Sequence, residues 1–377
     1  MTSSAVDVAI IGAGIVGAAL ARALSQQGCS VTVVEAATPG GGATAQGMGH
    51  LVVLDDNPVE LMLSQRGVEL WRTLLHQLPA SAQYDTCGTL WLARTEEEME
   101  AVSRKHALYK SLGLDSHVVS DSELAQLEPN LRSDMVGALR VSGDAVVYAP
   151  VATHWLLQEA SLLGAIVINQ AAATGWGASG VILQNGQTVA ARHIVIAAGM
   201  GSAALVPGLP LRPRKGHLAI TERYPGFVRH QLVELGYLQS AHGSGMESVA
   251  FNVQPRPTGQ VLIGSSRQFD AEHADVDPPV LARMLERALD YLPGLGALQI
   301  LRTWTGFRPA LPDNLPALGA LYQTDTKACN VWLATGHEGL GVTTALSSAE
   351  ILCHLITGSA CTMDPVPFSP GRFALTA

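Results

Sequence analysis

The chain has 377 residues, of which 47% are hydrophobic and 15% charged, with 38 glycines and a net charge of −9. These values describe a compact, loop-rich α/β protein long enough for two domains, and they exclude a disordered or fibrous chain. The acidic balance, without any lysine or arginine cluster, also excludes a nucleic-acid partner from expectation.

In chain order, Val6 to Ile11 is a short β-branched run, Gly12 to Gly17 a glycine turn, and Ala18 to Gln27 a helical stretch that ends at Gly28. Val31 to Glu35 follows as a second apolar strand, which completes a βαβ unit. The next segment, "EAATPGGGATAQGMGHL", is too rich in glycine and small residues to form an element. Asn57 and Pro58 then open a helix whose Met62, Leu70, Trp71, Leu74, Leu75 and Leu78 are expected on one face. A change in composition marks residues 81 to 144, where the strand-like "GTLWLA" is followed by the charged helix "TEEEMEAVSRKHALYKSLG". Pro150 to Leu163 reads as a helix stopped by Gly164, after which "AIVI" and "HIVIAAG" return to buried-strand character. From Pro210 to about Ile300, "HLAITE", "MESVAFNVQP" and "GQVLIGSSRQF" alternate like antiparallel strands, and Asp277-Pro278 opens another helix. The ending, "VWLATGHEGLGVTTALSSAEILCHLITG", is strand, glycine turn and helix, with Gly358 as the stop.

No apolar run is long enough for a membrane span, and the first one breaks at glycine with no basic stretch before it. No transmembrane segment is expected, and the cytoplasm is the expected location. The five cysteines, Cys29, Cys87, Cys329, Cys353 and Cys361, lack CxxC spacing, so neither a disulfide framework nor a zinc site is expected. No Ser/His/Asp elbow or HExxH occurs to support a hydrolase.

Two features carry chemistry. Gly12, Gly14 and Gly17 stand in GxGxxG spacing between a strand and a helix, where bare backbone can approach a pyrophosphate at a positive helix end. Glu35 ends the next strand, at the place of a ribose-binding acid. Together they indicate a dinucleotide, either NAD or FAD. The long small-residue loop at 39–50 and a second strand, turn and helix at 333–351 favour a flavin, which needs backbone along its ring and a positive helix end near its electron-rich side. The second feature is Arg308, which lies in the apolar, proline-broken "RTWTGFRPALPDNLPALG" with little to solvate it. A buried guanidinium calls for an anion, supplied either by a protein acid such as Asp313 or by a substrate.

The motifs "AIIGAGIVGAALARAL…VVE", "ATAQGMGH", "IVIAAG", "GFRPALPDNLPALG" and "LATGHEGLG" occur in an order that resembles the FAD-dependent D-amino acid oxidase and glycine oxidase superfamily, over essentially the whole chain. The ending looks most like the branch containing D-hydroxyproline dehydrogenase, opine oxidase and hydrogen cyanide synthase subunits. This resemblance implies an α/β (α+β) two-domain fold, with a Rossmann-like FAD-binding domain (residues 1–80, 145–210 and 300–377) interleaved with an antiparallel-sheet substrate domain (81–144 and 211–299). It implies that Gly12, Ala13, Gly14, Ile15, Gly17, Glu35 and Ala36 hold the ADP half of FAD. Ala43, Thr44, Gly47 and Met48 would run beside the ribityl chain and ring, Ala173 against the adenine, and Ala198 and Gly199 nearby. Glu338, Gly339, Leu340 and Gly341 would face the flavin's pyrimidine side. Arg308 aligns with the arginine that binds the substrate carboxylate, and Tyr237 with a tyrosine near it. His50 and His337 flank the two flavin loops, where each would shape the pocket or tune the ring, or simply stabilise its loop. Because no cysteine lies between Arg302 and Gly319, noncovalent FAD is expected. The implied activity is oxidation of a small amino or imino acid, with D-hydroxyproline or D-proline ahead of glycine and sarcosine. The acceptor is oxygen, a quinone or a partner protein.

Overall fold

In the computed structural model, residues 5–55, 57–236, 247–269, 271, 273–321 and 330–375 are described. Among them, strands form two eight-stranded sheets and one two-stranded ribbon. The first sheet runs, in spatial order, Ala317–Ala320, Asn330–Thr335, Thr188–Ile196, Val6–Ile11, Val31–Val34 and Ile166–Ile168, and its inner pairs are parallel. The hairpin Ala173–Gly177 and Gly180–Leu183 adds to it through Thr188–Ile196.

Continuous apolar runs make these strands because both faces are covered. Val8 and Ile10 pack with helices Ile15–Gln26, Pro58–Leu74, Ala149–Leu162 and Gly341–Thr357, through residues such as Leu20, Trp71, Leu156 and Leu352. Ala9 and Ile11 point the other way, toward Val181, Leu183, Leu209 and Leu211.

The second sheet runs Ile300–Ala310, Arg212–Arg223, Gln260–Phe269, Glu247–Pro255, Gln231–Glu234, Thr89–Ala93, Gly137–Val141 and Ser116–Ser120, and it is antiparallel except where Gln231–Glu234 meets Thr89–Ala93. Its outer face packs on helix Pro278–Tyr291: Ala219, Phe251, Val253 and Ile263 meet Met284 and Tyr291, with Phe251 stacked on Tyr291 at 4.2 Å. Because side chains alternate along a strand, Leu218, Asn252 and Leu262 turn to the opposite face, toward the first sheet's helices and loops.

Three expectations change. Ile300–Ala310, expected among the dinucleotide-binding segments, pairs along its length with Arg212–Arg223 in the antiparallel sheet. Backbone pairing, not the apolar composition of the segment, decides its sheet. The glycine-rich loop holds a short helix, Ala43–Gln46. Met62 is 53% exposed, while Leu61, Leu63 and Val68 join Trp71 and Leu74 inside, so the buried stripe of helix Pro58–Leu74 is rotated from the expected one. No helix among the described residues is long and apolar enough to cross a membrane.

Candidate active site

One cavity of about 830 Å³ runs from the glycine turn of the first sheet to the inner face of the second. At its first end, Gly12 has φ of +106°, and a side chain there would overlap the Ala197 carbonyl. A side chain at Gly17 would run into the Gly12 carbonyl oxygen, so this glycine lets helix Ile15–Gln26 sit against its strand. Gly12, Gly14, Ile15, Glu35 and Ala36 line the cavity, whereas Ala13 and Gly17 lie behind its wall. Glu35 accepts the Ala13 N–H at 2.8 Å and the Ala37 N–H at 2.9 Å, which binds the turn to the strand end. Each carboxylate oxygen keeps a further lone pair for a ribose hydroxyl.

The short helix Ala43–Gln46 brings Thr44 to the start of the dinucleotide helix, where its Oγ1 accepts the Ile15 N–H at 3.1 Å. Ala43, Thr44, Gly47, Met48, Ala173, Ala198 and Gly199 all line the cavity, with Ala198 against the Gly12 turn. On the far side stand Glu338, Gly339, Leu340 and Gly341, before helix Gly341–Thr357, whose first turn carries no side-chain cap. Gly339 donates to the Glu338 carboxylate and Leu340 donates to the His337 carbonyl at 3.0 Å, because the left-handed backbone at Glu338 (φ 47°) folds the turn on itself. The uncapped helix end remains as the positive feature there.

The other end is assembled from the antiparallel sheet. Arg308 is four-fifths buried, and its Nη1 donates to the Ser266 carbonyl at 3.1 Å. To reach it, the guanidinium lies across Gly216, where any Cβ would sit 2.6 Å from Nη1. Asp313 is not its partner, since that carboxylate pairs with Arg372 at 2.6 Å. The nearest carboxylate among the described residues is Glu338, 4.0 Å from Arg308 Nε and shared with Arg214 at 3.0 Å and Arg267 at 3.8 Å. Burial alone would raise the Glu338 carboxyl, but Arg267, Arg308 and Arg214 outweigh it and hold it down at about 2. Glu338 is therefore ionised, yet its charge is spread over three guanidinium groups.

His50 and His337 both line the cavity. His337 Nε2 bonds Ser348 Oγ at 3.0 Å, and burial lowers its imidazole to about 4, which makes it a neutral brace for its loop. His50 Nδ1 lies 2.6 Å from Gln231 Oε1, and burial lowers it likewise to about 4. Tyr237 lies outside the described residues, as does Cys329. No other cysteine lines the cavity among the described residues.

Reading the sequence alone misses Asn252, Gly216, Gln231 and Arg214. One signal was available: Asn252 is polar between Phe251 and Val253, and strand alternation sends it to the face opposite the helix. The glycine cradle, the acid at the strand end and a continuous path to Arg308 fit an extended dinucleotide such as FAD. The cavity volume falls within the range of about 300–1,000 Å³ usual for ligand sites.

Residues 7–355 match the family described as FAD dependent oxidoreductase. An opine oxidase subunit of Rhizobium meliloti is 26% identical over 389 residues, covering 98% of each chain. Glycine oxidase of Geobacillus kaustophilus is 26% identical over 383 residues, covering 97% of each. The crystal structure of glycine oxidase from Geobacillus kaustophilus superposes with a TM-score of 0.84 at 24% identity, covering 99% of each chain.

Proposed function

Because the chain belongs to the FAD-dependent oxidoreductase family, its cofactor is FAD, and we propose that it oxidises the C–N bond of a small amino or imino acid, with D-hydroxyproline or D-proline favoured. One observation carries this reading: Arg308 projects into the cavity, holds a main-chain carbonyl, and has as nearest described carboxylate only one shared at 4.0 Å.

Gly12, Gly14 and Glu35 would hold the ADP half, Ala43, Thr44, Gly47 and Met48 the ribityl chain and ring, and the end of helix Gly341–Thr357 the pyrimidine side. When bound noncovalently, FAD supplies a hydride acceptor at flavin N5. Arg308 meets the substrate carboxylate in a two-bond fork and so fixes the position of Cα. Glu338 repels that carboxylate from its own side of the guanidinium cluster, which narrows the approach to the face Arg308 presents. Apolar Val52, Leu54, Trp91 and Val233 wall the same end of the cavity and restrict water around the reacting carbon. No protein base is required if the amine is bound neutral, since positioning supplies much of the acceleration. The imine product then leaves or hydrolyses.

The names of two relatives favour a second arrangement, since the opine oxidase and hydrogen cyanide synthase proteins that resemble this chain are each subunits of larger enzymes. In that case this chain works beside a partner that takes the electrons. The test is anaerobic: purified holoprotein is mixed with D- and L-amino acids, both proline and hydroxyproline epimers, glycine and sarcosine. Rapid loss of the oxidised-flavin band with a proline-type acid supports the reading, and loss with glycine or sarcosine alone replaces the substrate. Adding air and then a dye acceptor separates oxidase from dehydrogenase. A yellow protein bleached by none of them counts against the isolated chain as an amine oxidoreductase.

A further inference from the structure

A chain of hydrogen bonds fixes the orientation of one side chain on the cavity wall. The Ala145 carbonyl can only accept, and Gln231 Nε2 donates to it at 3.1 Å and to Thr89 Oγ1 at 3.3 Å. Reversing the Gln231 amide would set two oxygens against each other, so Gln231 Oε1 faces His50 Nδ1 at 2.6 Å and that nitrogen carries the proton. Neutral His50 then has only a lone pair at Nε2, and Asn252 Nδ2 donates to it at 3.4 Å. The Asn252 amide is thereby oriented as well. Its Oδ1 is buried and, among the described residues, accepts no hydrogen bond, although Asn252 is only 5% exposed and lines the cavity. An acceptor in that state carries a desolvation cost unless a ligand brings a donor.

Arg308 gives the same cavity its cation. Its guanidinium rests at Ser266, and Asn252 sits one strand over, opposite Gly264. Both side chains line that cavity, where an α-amino acid offers its carboxylate to Arg308 and an N–H to Asn252.

We infer that Asn252 Oδ1, oriented by Gln231 through His50, is the receptor for the substrate's N–H and selects amines over other carboxylates. The inference rests on the amine-oxidation reading above. Asn252 binds the substrate directly, and Gln231 is a positioning residue that acts through His50.

The test uses holoenzyme and two ligands of matched shape: the amine that bleaches the flavin fastest, and its nitrogen-free counterpart, which for proline is cyclopentanecarboxylate. Anaerobic mixing yields the limiting bleaching rate and apparent Kd of the amine, while perturbation of the flavin spectrum yields the Kd of the counterpart. Asn252→Ala is expected to raise the amine's apparent Kd about tenfold to a hundredfold, with the counterpart unchanged within about twofold. Asn252→Asp keeps an acceptor and restores amine binding. Gln231→Leu shifts the amine in the same direction by a smaller factor, and it serves if Asn252→Ala fails to retain flavin. Loss of counterpart affinity in Asn252→Ala, with no rescue by Asn252→Asp, would show that the amide N–H serves the carboxylate and would overturn the inference. Equal binding of both ligands by wild type and Asn252→Ala overturns it too, while leaving amine oxidation intact. A wild type bleached by no amine overturns the underlying function as well.

Discussion

The two ends of the cavity are built on opposite plans. At the dinucleotide end, Gly12, Gly14 and Gly17 lie within one turn of chain and act through missing side chains, and Glu35 closes the same βαβ unit with bonds to backbone N–H groups. At the end proposed for the substrate, Arg308, Gly216, Ser266, Asn252 and Gln231 come from five strands, and each would have its proposed role only because a neighbour in space directs it. Backbone-made sites are robust to most side-chain changes but intolerant of added bulk. A site made from side chains loses function one group at a time while the fold persists.

The sharpest way to break this contrast is Gly17→Val. Its side chain would drive the helix off the strand at the Gly12 carbonyl, and the cost is on the order of 3 kcal/mol or more. Flavin content per chain and Tm should both fall, and a variant that keeps full flavin would refute the backbone-made site. Arg308→Met should do the opposite. Flavin content stays near wild type, because the cofactor's cradle lies elsewhere, while the second-order rate of anaerobic bleaching by a carboxylate-bearing amine drops about a hundredfold or more. An unchanged rate would remove Arg308 from substrate binding, and a loss of flavin would mean that the two ends are not separable.

The same contrast explains what could be read from the sequence. The βαβ unit, the glycine spacing and Glu35 are local in the chain, so the expected strand, helix and strand are present and Gly12, Gly14 and Glu35 line the cavity. Antiparallel strands were legible from alternation, as with Glu247–Pro255 and Gln260–Phe269. Which strand neighbours which was not, as with Ile300–Ala310, whose pairing with Arg212–Arg223 joins segments about 90 positions apart. Arg308 stood out because a cation in the middle of an apolar, proline-broken segment poses an electrostatic problem by itself. Asn252 and Gln231 pose none until three strands and the His50 loop are brought together. The charge on Glu338 likewise depends on Arg214 and Arg267, 124 and 71 positions away, and no spacing rule joins them.

Acid should act on the buried titrating groups in two steps. Burial holds His50, His217 and His337 neutral, each lowered to about 4. The unfolded chain takes up protons on these groups first, so their contribution is complete above the ordinary histidine value of about 6.5 and lost as pH falls toward 4. Glu338 is held at about 2, so its contribution is present above the ordinary 4.5 and lost only as pH falls toward 2. Stability should therefore decline in two steps, the histidine step worth on the order of a few kcal/mol. His337→Gln should reduce the first, to which His50 and His217 also contribute, and Glu338→Gln the second. Denaturant midpoints measured from pH 7.5 down to about 2 check the order, and a first loss that begins below pH 4 would show that the histidines are not the source.

The smallest expected effect tests whether local features elsewhere behave like those of the glycine turn. Asn57 caps helix Pro58–Leu74 by accepting the Glu60 N–H at 2.8 Å, and Pro58 occupies the first helical position, where no N–H is needed. This helix carries Trp71, fully buried, whose indole N–H donates to the Val342 carbonyl at 2.8 Å in the first turn of helix Gly341–Thr357. Asn57→Ala removes one acceptor at a solvent-facing end, so the cost should be about 1 kcal/mol, with Tm lowered by a few degrees. Because Trp71 is held by packing along the whole helix, its bond to Val342 should survive the loss of the cap, and the flavin spectrum and amine Kd should not move. If Asn57→Ala weakens flavin binding, strain passes from the helix start through Trp71 to Gly341–Thr357, and the cofactor end depends on side-chain contacts after all.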